Sequence, residues 1–173
     1  MEIKNELTIL VTVAMLVFVP LTKAQEPAKL PTHDMSSMKQ EEMNKRGDKV
    51  MGFDHTKTTH HFILDRDGGA IEVNANETND LESRDEIRGH LTHIASMFAK
   101  GNFNAPILIH EQNPPGATVM QKLKDEIKYA FEKTERGGRV RISTKNAEAL
   151  AAIYEFLRFQ IREHKTGDSL EVR

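Results

Sequence analysis

The longest apolar run in the chain comes first. Leu7 to Val19 (LTILVTVAMLVFV) spans 13 positions, fewer than the roughly 20 a helix needs to cross a bilayer. Pro20 ends it, and Thr22-Lys23-Ala24 puts small residues at the −3 and −1 positions of a signal-peptidase site. The pattern predicts a cleaved secretory signal over residues 1–24, although Glu2 and Glu6 offset the positive charge of Lys4. Residues 25–52 are polar, with two prolines, four methionines (Met35, Met38, Met43, Met51) and no sustained apolar face. They read as a flexible Met/His-containing leader with a helical stretch near 35–45.

From Phe53 the patterning becomes that of a folded domain, expected over residues 53–168 with a short tail at 169–173. Thr58 to Leu64 (TTHHFIL) and the alternating Ala70 to Ala75 (AIEVNA) predict two strands joined at Asp67-Gly68-Gly69. Asn79-Asp80 opens a helix to about Lys100, with Ile87, Leu91, Ile94 and Phe98 as its apolar stripe and Gly101 as its stop. Pro106 to His110 (PILIH) reads as a short strand. After the Pro114-Pro115-Gly116 loop comes a short helix through Met120 and Leu123, then a strand from Ile127 to Lys133. The Gly137-Gly138 turn leads to the strand Arg139 to Thr144, and the last helix runs from Asn146 to about His164.

The chain echoes itself. Phe62, Gly68-Gly69, Ile71 and Val73 match Phe131, Gly137-Gly138, Val140 and Ile142 at a shift of 69 residues. Ile87, Leu91 and Gly101 match Ile153, Leu157 and Gly167 at a shift of 66. The expected fold is therefore α+β: two hairpin–helix (ββα) units sharing one antiparallel sheet, with helices packed on one face. In this echo His90 and His93 fall on Phe156 and Phe159.

Composition narrows the function classes. Hydrophobic residues are 38%, charged residues 29%, and the formal net charge is −2, so nothing overall recruits nucleic acid or an anionic membrane. With no Cys there is no disulfide, thiolate zinc site, cysteine nucleophile or lipid-anchored cysteine. Arg136, Arg139 and Arg141 make a basic edge, but no aromatic platform accompanies them for stacking bases. No phosphate-binding glycine loop or exposed-serine elbow is present.

The candidate chemistry is imidazole and thioether. His90 and His93 lie three apart on one helix face. Strand parity puts His60 on the face of Phe62 and Leu64, expected beneath that helix, with His110 ending the PILIH strand. His60, His90, His93 and His110 thus form a candidate nitrogen site for Zn²⁺, Cu²⁺ or Ni²⁺. The alternative is that these imidazoles are packing residues hydrogen-bonded at the helix–sheet seam. In the leader, His33, Met35, Met38 and Met43 are candidates for soft Cu(I) or Ag(I), resembling the Met-rich leaders of periplasmic copper-handling proteins. The loop after His110 offers a third arrangement, with His110 as general base and Glu111 orienting it.

The runs MGFD (51–54), TTHHF (58–62), RGHLTHIA (88–95), PPG (114–116) and FLRFQI (156–161) resemble a family of uncharacterised bacterial exported proteins. The resemblance covers about residues 50–168 and implies export without implying an activity. An aspartate carbamoyltransferase is excluded, since that fold needs about twice this length and its Ser-Thr-Arg-Thr phosphate loop is absent. The expectation is a periplasmic or secreted protein that binds a transition-metal ion, Cu or Zn, in copper or heavy-metal handling. It would have no nucleic-acid partner and no stable membrane anchor after cleavage. Two alternatives stay open: a small enzyme using His90 and His93 as acid/base groups or ligands, and a stress-related binding module without catalysis.

Overall fold

A computed structural model describes residues 35–173. The expected signal 1–24, the first part of the leader and His33 lie outside the described residues. No helix among the described residues is long and apolar enough to cross a membrane.

Four antiparallel strands form one sheet: β1 (Thr58–Asp65), β2 (Gly68–Ala75), β3 (Ile127–Lys133) and β4 (Gly137–Thr144), in the spatial order β1-β2-β4-β3. The architecture is the expected α+β, with the long helices α2 (Leu81–Ala99) and α5 (Ala147–His164) packed on the sheet. The side chain of Asp80 accepts from the Ser83 N–H at 3.0 Å to start α2, and Asn146 accepts from Glu148 and Ala149 to start α5.

The register follows the internal echo. The two hairpins meet through β2 and β4, where Ile71 faces Val140, Gly68 faces Ser143 and Asn74 faces Gly137. A shift of 69 maps the pair Ile71–Val140 onto itself and exchanges Gly68–Ser143 with Asn74–Gly137, so the units are related by an approximate twofold. The glycine pairs have a reason beyond the turn. A Cβ on Gly68 would lie 2.1 Å from the Ile142 carbonyl oxygen, and one on Gly137 would lie 2.1 Å from that of Val73. Only glycine lets the two central strands approach this closely.

The helices cross over. α5 lies on β1 and β2, and α2 lies mainly on β4 and β3, so each hairpin is covered largely by the helix of the other unit. The core between the layers holds Phe62, Leu64, Ile71, Val73, Ile87, Leu91, Phe98, Val140, Ile142, Ile153, Phe156 and Leu157.

Two segments differ from the sequence reading. Pro106 to His110 is not a strand but part of a helix, α3 (Asn104–His110). Pro106 stands third in it, where its missing N–H is one that a helix start leaves unbonded anyway. The buried positions Ala105, Pro106, Ile109 and His110 follow helical spacing, and packing overrides the strand propensity of the isoleucines. Residues 35–51 of the expected flexible leader form a helix, α1 (Met35–Met51), which packs on α3. Met43 is buried there at 4% exposure, and Arg46 donates to the Ile109 carbonyl at 2.9 Å. A further short helix, α4 (Ala117–Lys122), leads into β3 and packs on α5.

The exposed edge of β1 is covered by the chain's end. The Phe62 N–H donates to Asp168 Oδ2 at 2.9 Å, and the Arg173 N–H donates to the Leu64 carbonyl at 3.1 Å. Both groups would otherwise offer a pairing template to another strand.

Candidate functional site

Strand parity separates adjacent histidines. His60 points inward with Phe62 and Leu64, and His61 points outward, where its Nδ1 lies 2.9 Å from Asp168 Oδ1. Because α5 rather than α2 covers β1, the side chain that meets His60 is His164, at the end of α5. Their rings stack nearly parallel, 9° apart with centroids at 5.8 Å. His110, at the end of α3, stands edge-on to His164 with centroids at 5.1 Å. His90 reaches the same space from α2, and Phe53 bridges it to His60 at centroid distances of 5.6 and 6.0 Å.

His60, His90, His110 and His164 therefore line one cavity of about 60 Å³, reached from β1, α2, α3 and α5. Its other walls are almost wholly apolar, including Phe62, Val73, Ile94, Phe98 and Phe156. On the far side of the His60–His164 stack lies a polar groove that also includes Gln40, Asn44, Thr59 and Lys165. The stacked rings belong to both spaces.

The structure brings together His60, His90 and His110 of the expected set and leaves out His93, which is exposed on α2. Helical spacing of three puts His90 and His93 on adjacent positions, but only His90 faces the cavity. His164 was missed. The echo pairs its helix with α2, and no spacing rule shows that α5 crosses onto the other hairpin. The expected His110–Glu111 dyad does not form. Glu111 is exposed and pairs with Arg46 at 3.1 Å, while His110 is bonded to Gln160. In α1, Met35 and Met38 are 79% and 47% exposed, but Met43 is committed to the core, so the three thioethers present no common surface.

The imidazoles are held neutral. Burial pushes His60 down to about 4, helped by neighbouring His90, His61 and His55. It pushes His90 down to about 4 and His164 to about 3, the latter helped by His60 and His110. Burial also lowers His110, against the opposing effects of its Gln160 hydrogen bond and the Glu163 charge.

The most enclosed polar contact is His110 with Gln160. His110 is 6% exposed and Gln160 3%. The Nε2–H of His110 donates to Gln160 Oε1 at 2.9 Å, which fixes the tautomer and leaves Nδ1 as a lone-pair donor. His110 Nδ1 and Gln160 Nε2 are buried and have no hydrogen-bond partner. The Tyr129 hydroxyl, on β3, is likewise buried and unpartnered.

Three nitrogens of the four cavity imidazoles do not all lie within 4.8 Å of one another. Among the described residues the group that meets that spacing is Asp48, Asp54 and His55. Several of its polar atoms are engaged within the segment itself. Both Asp48 oxygens lie 2.9 Å from His55 Nδ1, and Asp54 Oδ1 accepts from the Thr56 N–H and hydroxyl.

Comparison of the chain with family models, curated proteins and solved structures found no match.

Proposed function

We propose that this is a small exported protein that binds a single transition-metal ion, Zn²⁺ or copper, in the cavity lined by His60, His90, His110 and His164. The observation that carries the reading is His110. Its Nδ1 lone pair is buried and unpartnered, while Nε2–H is fixed by Gln160. Histidines that ligate metals characteristically donate their other ring N–H to such a partner. The rest of the donor set fits. Only neutral imidazole ligates, and burial keeps these rings neutral throughout the physiological range. No carboxylate lines the cavity, so the donors suit Zn²⁺ and copper rather than Ca²⁺ or Mg²⁺. Binding draws the rings together by rotation about their side-chain torsions, since their nitrogens are spread wider than a coordination sphere. Export rests on the apolar run and the Thr22-x-Ala24 site at residues 7–24.

Acid/base catalysis by the same histidines has less support. A general base works best with its pKa near the working pH, and burial holds His60 and His90 at about 4 and His164 at about 3.

Calorimetric titration with Zn²⁺ and Cu²⁺ tests the reading. One equivalent should bind tighter than about 10 μM, roughly 7 kcal/mol. His110→Phe and His164→Phe should each weaken binding at least tenfold. Wild-type protein that binds neither ion at that level sinks the proposal.

A further inference from the structure

The two edges of the sheet are finished differently. The approximate twofold makes Phe131 and Lys133 of β3 the counterparts of Phe62 and Leu64 of β1, to which Asp168 and Arg173 are bonded. On the β3 side, the Thr134 N–H donates to the Gly137 carbonyl at 3.2 Å to close the hairpin. Antiparallel pairing alternates from there, so Lys128, Ala130 and Glu132 direct their backbone groups toward β4, and Tyr129, Phe131 and Lys133 direct theirs outward. Among the described residues, no backbone hydrogen bond from another segment reaches the outward groups of Tyr129 or Phe131.

We propose that this edge docks a second copy of the chain, the two β3 strands pairing antiparallel about Ala130 to continue one sheet across both copies. The strand's own side chains select the occupant and the register. A twofold centred on Ala130 sets Lys128 of each copy opposite Glu132 of the other, and Tyr129 of each opposite Phe131. The charged pairs fall at the positions without backbone hydrogen bonds, where side chains approach most closely, and opposite charges there are stabilising. Lys128, Ala130 and Glu132 are all exposed in the single chain, and at the centre the small Ala130 meets itself. The aromatic pairs lie on the inner face, where Tyr129 and Phe131 are half-buried and α2 packs on β3. Moving the twofold to Tyr129 or to Phe131 sets Lys128 or Glu132 opposite Ala130 and breaks both sets of pairs. Charges on an edge strand ordinarily discourage pairing with another chain. Here they find their complement in a copy of the same strand. The contact is one strand wide, so the dimer should be reversible, with Kd on the order of 10 μM.

Sedimentation of the full chain over about 1–500 μM, a range that brackets such a weak contact, tests the proposal. Wild type should pass from monomer to dimer. Lys128 faces Ser143 on β4, so Lys128→Glu disturbs no ion pair within the chain, yet it sets like charges opposite each other twice in the dimer. It should weaken association at least about tenfold. Glu132→Lys should do the same, and an equimolar mixture of the two variants should dimerise again, because each strand then meets its opposite. Circular dichroism of each variant confirms that it is folded. Phe131→Pro removes an outward N–H that β4 does not use and should also give a monomer, which keeps the test open if a charge variant misfolds. A wild type that stays monomeric throughout, or a dimer that neither charge variant weakens, overturns the proposal. So does a mixture that dimerises no better than its components.

Discussion

The two faces of the sheet treat histidine in opposite ways. On the outer face, His61 of β1 faces Glu72 of β2, which faces Arg139 of β4, which faces Glu132 of β3. Here every titratable side chain has a neighbour of a different kind. Arg139 donates two hydrogen bonds to Glu72 Oε2, and His61 is within hydrogen-bond distance of Asp168. On the inner face, one peptide bond away, His60 meets Phe53, Phe62 and another imidazole, His164. The outer face is a solvated charge ladder. The inner face collects uncharged nitrogen lone pairs in an apolar space, a poor place for a proton and a suitable one for a metal ion.

The comparison is sharpest in acid. In the unfolded chain each histidine protonates near its ordinary 6.5, whereas burial holds His60 and His90 at about 4 and His164 at about 3 in the fold. Below pH 6.5 the unfolded state therefore takes up protons that the folded state refuses. Stability is complete above that pH, and it falls until the folded values are reached. Three such groups give a slope of about 4 kcal/mol per pH unit, enough to unfold a domain of ordinary stability before pH 4. The outer carboxylates act in a lower window. Burial alone would raise Glu72 and Asp168, but hydrogen bonds from Arg139 and Asn74 hold the first below its ordinary 4.5, and those from Thr166, the Phe62 N–H and His61 hold the second below 3.8. Their contribution is present above those pH values and is lost only beneath them. Urea unfolding of the metal-free protein at pH 7, 6 and 5 should show the inner-face slope alone. A flat profile would break the contrast between the faces.

Single substitutions divide the effect. His60→Phe removes one acid-sensitive ring and keeps the aromatic packing against Phe53 and Phe62. It should stabilise the metal-free protein by about 2 kcal/mol at pH 5 and by little at pH 8, while weakening metal binding. On the outer side, Asp168→Ala removes the acceptor for the Phe62 N–H, His61 and the Thr166 hydroxyl. It should cost about 1–2 kcal/mol at neutral pH, leave Zn²⁺ affinity unchanged, and loosen the tail over the β1 edge, seen as faster amide exchange at Phe62. An Asp168 variant that lost metal binding would show that the faces are coupled.

Much of this was legible in the chain. Period-two alternation placed β2, the helical stripe placed α2, and the glycine pairs marked the two hairpin turns, although not the close contact between the hairpins. Parity alone put His60 inside and His61 outside. The cavity was legible only in part, because a repeat shows which elements are equivalent and not which helix covers which hairpin. His60 was expected beneath its own unit's helix. The crossover puts α5 there, and with it His164. α3 escaped because Ile107 and Ile109 carry strand propensity, and the burial of Ala105, Pro106, Ile109 and His110 that holds the segment in a helix comes from α1 and the core. Gln160 gave no signal, since a glutamine on a helix is ordinarily a surface residue.

The smallest predicted effect bears most directly on that shortfall. Spacing alone makes His90 and His93 a pair, and a site built from that pair needs both. In the folded protein His90 lines the cavity and packs edge-on to Phe53 at 5.6 Å, whereas His93 is exposed on the same helix. Surface substitutions away from special features usually change stability by less than about 0.5 kcal/mol. His93→Ala should therefore alter neither the melting temperature nor Zn²⁺ affinity beyond twofold, while His90→Ala weakens binding at least tenfold and loosens the contact with Phe53. The two variants expressed side by side, each titrated with Zn²⁺ at pH 7.5, separate the helix-face pair from the cavity set. Equal loss in both would return His93 to the site and require α2 to rotate about its axis on binding.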